Sequence, residues 1–294
     1  MRNAFIVELI LSARRNEKII LIVGDLGYGV VEPFAKEFPN RFINAGVAEQ
    51  GMMSTAAGLA SEGYHPFVYS IANFPTFRCA EQIWNDVAYH KYPVTVVAVG
   101  GGLAYGNLGY SHHAVQDYAL MRSMPGMLIA SPGDPLETRA CTQYLIQNPQ
   151  SSYLRLGKAG EPNLHSKIPD IKPGQWVLVR KGTSFTRAYL TTGAVLEWVC
   201  KEAPRDASIY TMPLWGMGFQ ETQAEMVEKF KAVVTVEDHL KDGGMGSWML
   251  EALSGRPDLI VKIKIAALNP EVCGMVGRQS ILNDLGGLKK KVLL

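Results

Sequence analysis

Short runs rich in valine and isoleucine alternate with helix-period segments along the whole chain. That rhythm predicts βαβ units and parallel sheet, an α/β fold. An amphipathic helix over residues 2–15 leads into the strand KIILIVG (18–24) and the turn GDLGYG. Strands follow at 42–44, 66–69, 93–99, 126–131 and 152–156, with helices at 48–62, 79–90 and 135–147. Then the pattern breaks. KAGEPNLHSKIPDIKPG carries Pro162, Pro169 and Pro173, and a polar, proline-bearing stretch of this kind buries little of itself. A second alternating series follows, with strands WVLVR, RAYLTTG, SIYTMPL, AVVTVED and LIVKIKI and helices at 194–201, 221–230 and 246–253. The expected plan is a larger parallel-sheet unit at 1–160, a linker at 161–173 and a smaller α/β unit at 174–294.

Composition narrows the class. With 294 residues, 47% hydrophobic and 19% charged, the chain reads as globular, with length for two cores. A net charge of +2 gives no electrostatic reason for nucleic acid or an anionic membrane as main partner. The N-terminal apolar run is broken by Glu8 and lacks a small-residue cleavage site, so it does not read as a signal peptide. No apolar stretch approaches the ~20 residues of a membrane span. Cys79, Cys141, Cys200 and Cys273 form no CxxC pair, which points to buried thiols in a reducing, cytoplasmic setting and away from zinc.

Ligands of open α/β sheets collect where strands end and loops begin, and three such places stand out. GDLGYG, after the first strand, carries Asp25; no GKS or GKT follows, so it is not a nucleotide P-loop. GGGLAYGNLGYSHH follows the strongest strand; so many glycines before His112 and His113 suit a ligand-facing loop, with one of the two histidines turned to the ligand. The third is FINAGVAEQGMMSTAAGLASEGYHPFVYSIANFPTFRCAEQ (42–82). It sets Glu49 at the head of a helix whose Gly51, Ala56, Ala57, Gly58 and Ala60 permit close packing on both sides. Phe74 and Phe77 follow after the next strand. A carboxyl there stands next to a flat aromatic shelf suited to a planar heterocycle.

Together these segments resemble a family. GVAEQGMMSTAAGLASEGYHPFV is similar to the pyrimidine-binding domain of transketolase, and NFPTFRCAEQIWNDVA to the segment that follows it there. SHHA resembles the family's THQ motif, and VVTVEDHLKDGGMGSWMLE its C-terminal domain, as found also in deoxyxylulose-phosphate synthase. The resemblance implies thiamine diphosphate as cofactor. Glu49 then engages N1′ of the aminopyrimidine, Phe77 and Phe74 stack on that ring, and Asp25 lines the cofactor side. It also implies that His112 exchanges protons with the substrate, with His113 beside it on the family's glutamine position.

The family's diphosphate-binding domain, marked by GDG and a downstream asparagine, has no counterpart here. The resemblance therefore implies the C-terminal half of a split transketolase. Its partner subunit holds the diphosphate and Mg²⁺, and the two form a heterotetramer. On the substrate side, the family's EDG acid is replaced by Asn107, Leu108 and Gly109, and a phosphate-touching histidine falls on Gly100. Lys158, with Arg155 close by, aligns with a substrate arginine, and Arg2 with another; a lysine attracts phosphate but lacks the bidentate fork. The expected reaction is transfer of a two-carbon ketol unit between sugars or sugar phosphates. The alternatives are the beta subunit of a 2-oxoacid dehydrogenase and a non-catalytic α/β binding subunit.

Overall fold

The computed structural model describes residues 1–184 and 186–293. The strands are β1 (Ile19–Val23), β2 (Phe42–Asn44), β3 (His65–Ile71), β4 (Thr95–Val99), β5 (Leu128–Ala130), β6 (Ser152–Leu156), β7 (Val177–Arg180), β8 (Arg187–Thr191), β9 (Ser208–Thr211), β10 (Leu214–Trp215), β11 (Ala232–Leu240) and β12 (Ile263–Leu268). They form two sheets, of order β10-β5-β6-β4-β3-β1-β2 and β12-β11-β8-β9-β7. The expected α/β architecture with parallel-dominated sheets is what the chain adopts.

The strands β1 (IILIV) and β4 (TVVAV) are buried at every position. Such continuous burial requires helices on both faces of a parallel sheet. On one face, helices Arg2–Ala13 and Pro135–Gln147 cover Ile19, Leu21 and Val97. On the other, Met52, Met53, Ala56 and Ala60 of the helix Glu49–Ser61 pack with Ile20, Ile22 and Val68. Helix Pro135–Gln147 starts where it does for a local reason. Asp134 accepts a hydrogen bond from the Glu137 amide (2.7 Å), and Pro135 occupies a first-turn position that needs no amide donor.

Several elements depart from the sequence pattern. The run SIYTMPL is not one strand: Pro213 interrupts it, β9 stays in the second sheet, and β10 crosses over to pair antiparallel with β5 at the edge of the first. Residues 214–215 of the expected second unit therefore complete the first sheet. The helix expected over 79–90 is a 3-10 turn (Phe77–Cys79), a short α segment (Ala80–Gln82) and a π turn (Ile83–Ala88), which leaves Trp84 and Tyr89 exposed. The linker is better anchored than its composition suggests. Asp134 accepts from the amides of Leu164 (2.7 Å) and His165 (2.9 Å), and Ile171 is buried against the first unit. Beyond β12, helices Gln279–Leu285 and Leu288–Leu293 close the second unit. No helix among the described residues is long and apolar enough to cross a membrane.

Candidate active site

The carboxyl ends of β1, β2, β3, β4 and β6 point the same way, because those strands are parallel, and the loops leaving them carry most of the candidate residues. After β2, the chain turns at Gly46 (φ 71°) and enters the helix Glu49–Ser61 with Glu49 as its first residue. Only 2% of Glu49 is exposed. Gly24, at the end of β1, lies against it: a Cβ there would sit 3.6 Å from Glu49 Cγ and 3.5 Å from Ser70 Oγ. The Ser70 hydroxyl beside this point is buried and has no hydrogen-bond partner among the described residues.

Glu49 is not the lone acid that the sequence suggested. Arg78 Nη1 donates to Glu49 Oε2 at 2.7 Å, while the Arg78 guanidinium carbon lies 4.5 Å from the Phe74 ring centroid. The carboxyl is thus half of an ion pair whose cationic side is 46% exposed. The expectation of close packing on both sides of this helix also needs correcting within the chain. Gly51, Ser54, Thr55 and Gly58 form an exposed face, and a Cβ added at Gly51 or Gly58 meets nothing within 4 Å.

Phe74 sits in the turn after β3, and its ring meets His112 edge to face, with centroids 5.2 Å apart. Tyr105 approaches His112 from another side, at 6.3 Å. Phe77 is 46% exposed, its face open to solvent beside Arg78. His112 Nδ1 lies 3.0 Å from Ser111 Oγ. Partial burial, with His113 as a second contributor, lowers the His112 pKa from its ordinary value, so the ring is neutral near pH 7.

The next residue differs. His113 is buried, and neither ring nitrogen has a partner among the described residues. Of the two histidines, His112 is the more accessible and His113 the more buried. Asn73 donates to the His113 carbonyl (2.9 Å) and the Ser111 carbonyl (3.3 Å), tying the loop to the turn that bears Phe74.

Asp25 adopts φ 53°, stabilised where Asn44 Nδ2 and Tyr28 Oη each donate to its Oδ1 at 3.1 Å. It is exposed at the end of β1, one residue from the glycine that packs on Glu49. Lys158 Nζ lies 5.1 Å from the Tyr105 ring and lines a cleft of ≈ 510 Å³ toward the second unit. The positive charge of Arg2 acts on both Tyr69 and Tyr105 and partly offsets the upward push that burial gives their pKa values.

Arg155 does not belong to the substrate side. It is 2% exposed, with Nε on Asp117 (2.7 Å) and Nη1 on Asp238 (2.6 Å), so its charge is neutralised inside the protein. The sequence pattern also gave no place to Arg78, Asn73 and Tyr105. Arg78 had a signal, as the only charged side chain in NFPTFRCA; Asn73 and Tyr105 had none beyond their position in the loops.

Residues 1–160 match the family model described as "Transketolase, pyrimidine binding domain". The chain is 32% identical over 280 residues to a subunit of the apulose-4-phosphate transketolase of Phocaeicola vulgatus, covering 92% of this chain and 88% of that one. It is also 32% identical over 298 residues to "Putative transketolase C-terminal section" of Methanocaldococcus jannaschii, covering 98% and 92%. Among solved structures it resembles "Split gene transketolase, inactive beta4 tetramer", with a TM-score of 0.85, 29% identity, and coverage of 99% of this chain and 95% of that one. With a family model matched over more than half its length and relatives that are subunits or sections of transketolase covered almost end to end, the chain belongs to the transketolase family.

Proposed function

We propose that this chain is the pyrimidine-binding subunit of a split, thiamine diphosphate-dependent transketolase that moves a two-carbon ketol unit between sugars or sugar phosphates. One observation carries the reading: a buried carboxylate, Glu49, heads the helix after β2 and pairs with Arg78, whose guanidinium lies on Phe74, and the Phe74 ring meets His112. Thiamine diphosphate supplies, when bound, the carbanion that accepts the ketol fragment.

The residues present suit that cofactor's pyrimidine end. Glu49 holds a proton at N1′, in a setting dry enough for the interaction to be strong. Phe77, exposed and flat, offers the stacking face, with Phe74 beside it. The unpartnered hydroxyl of Ser70 is a spare polar group at the same end. Asp25 lines the approach from β1. His112, neutral at rest, takes a proton from a substrate hydroxyl and returns it. Lys158 and Arg2 attract a phosphate on the substrate. Leu108 accepts no hydrogen bond where the family has an acid, which favours a donor lacking the usual hydroxyl contact.

No set of three His, Cys, Asp or Glu able to hold a metal exists among the described residues. We assign Mg²⁺ and the diphosphate to a partner subunit, with two copies of each chain in a heterotetramer. The chain's surface supports a partner over the site. Tyr28, Val47, Phe77, Leu108 and Tyr110, all from the loops around it, are 46–77% exposed, and an apolar collar of this kind marks an interaction surface. The flat Gly51–Gly58 face continues it. In the unit plan proposed here, residues 1–160 carry this site, 161–173 link, and 174–294 support.

The test is reconstitution with a diphosphate-binding partner and an assay of ketol transfer from a ketose donor. Glu49→Gln keeps the shape and removes the ionisable proton, and kcat should fall roughly 10²–10⁴-fold. Unchanged activity in that variant would sink the assignment.

A further inference from the structure

The loop that carries His112 leaves β4 at Gly100, and its two ends are joined before the loop opens. Gly102 N donates to the Ala114 carbonyl (2.8 Å), and Ala114 N donates to the Gly102 carbonyl (2.9 Å). Beneath this neck lies a buried ionic cluster that the proposed chemistry does not use. Its centre is Arg155 on β6. Arg155 Nε donates to Asp117 Oδ2 (2.7 Å), Nη1 to Tyr118 Oη (3.1 Å) and Asp238 Oδ1 (2.6 Å), and Nη2 to the carbonyls of Ala114 (2.7 Å) and Asp238 (3.3 Å). All five guanidinium N–H groups therefore have acceptors, one of them the neck carbonyl itself.

Asp238 comes from β11, in the second sheet, and it touches the neck directly as well. A Cβ at Gly102 (φ 67°) would overlap the Asp238 carboxylate, and one at Gly101 would lie 2.6 Å from Arg155 Nε. The two glycines are the only residue type that lets these side chains press against the backbone so closely. Leu240 N, two residues beyond Asp238, donates to the Val115 carbonyl (2.9 Å), so β11 grips the returning end too.

We infer that Asp238 of the second unit is a positioning residue for the His112 loop, acting through Arg155 and through direct contact with Gly102. The second unit thereby sets where the histidine stands over Phe74. This rests on the reading that His112 handles the substrate's protons, but the contact is tested on the free chain, without cofactor or partner, so failure of that reading leaves the test standing.

Two variants perturb the contact from opposite sides: Asp238→Asn removes the charge, and Gly102→Ala pushes the carboxylate away. Leu253→Ala, a buried position that makes none of the neck hydrogen bonds described above, serves as a control for general loss of stability. Amide exchange at Gly102 and Ala114 and the ring signals of isotope-labelled His112 and His113 are the readouts. At equal Tm, Asp238→Asn and Gly102→Ala should speed neck exchange ~10-fold or more over Leu253→Ala and shift the His112 signal, with less than additive effects in the double variant. If either folded variant leaves the neck amides and the His112 signal indistinguishable from Leu253→Ala, the inference is overturned. Full additivity in the double variant would overturn it too, and where Asp238→Asn does not fold, Gly102→Ala alone decides.

Discussion

Arg78 occupies the carboxylate that the proposed chemistry needs. While it donates to Glu49 Oε2, one of the two carboxylate oxygens is engaged, and a pyrimidine donor competes with Arg78 for that oxygen. The guanidinium of this pair is half open to water, which screens it, although the carboxylate itself is buried. Arg78→Met, which keeps an apolar stem against Phe74, should therefore tighten thiamine diphosphate binding to the reconstituted pair up to ~5-fold, read by calorimetry. Weaker binding in that variant would mean that Arg78 assists the cofactor instead of competing with it. His112 gives a second prediction. Its pKa is lowered by burial, so the ring stays unprotonated as pH falls through the ordinary histidine range. The acid limb of kcat/KM for the reconstituted enzyme should lie below pH ~6.5 and vanish in His112→Ala. Sequence alone placed Glu49, Phe74 and His112 in one neighbourhood because each lies in a motif at a strand's end. It misplaced Arg155 because a strand's last residues face a ligand or a core with equal ease, and only Asp117 and Asp238, distant in sequence, decide which.

At the scale of elements, Gly100 shows how the loop is shaped. Its φ is 85°, and a side chain there would overlap the Tyr105 ring that flanks His112. Gly100→Ala should cost about 1–2 kcal/mol from the backbone conformation alone, and more if Tyr105 cannot shift, measured by denaturant unfolding. The linker offers a pH prediction. His165 Nδ1 donates to Asp134 Oδ2 (3.1 Å), and its Nε2 lies 3.4 Å from Glu137 Oε1. Its pKa is raised: burial opposes the charged ring, but the Asp134 hydrogen bond and the two acids outweigh it. Burial also pushes Glu137 up to about 7. Both folded-state values are raised, so their contribution is full below the unfolded values and is lost as pH rises through the folded ones. The parent's Tm advantage over His165→Gln should accordingly be larger at pH 5.5 than at pH 8. The strands were legible because valine and isoleucine runs buried on both faces admit little else. The π turn at Ile83–Ala88 was not, since its residues fit an ordinary helix equally well.

At the scale of the whole molecule, the βα rhythm raised the expectation of two units, and the strands form two sheets. The crossing of β10 was invisible, because two residues just past Pro213 carry no pattern of their own. That crossing bears on how the gene for such a protein can be cut. The seam that composition draws near 173 is not a seam in three dimensions. An excised 1–173 fragment would lose Leu214 and Trp215, baring the edge of β5, and would leave Arg155 without Asp238 in a dry interior. Such a fragment should aggregate when expressed alone, while coexpression with 174–294 should recover soluble protein, scored by gel filtration. A strand and a buried charge are shared across the linker in this chain, so the fold ties together what the composition near 173 would separate.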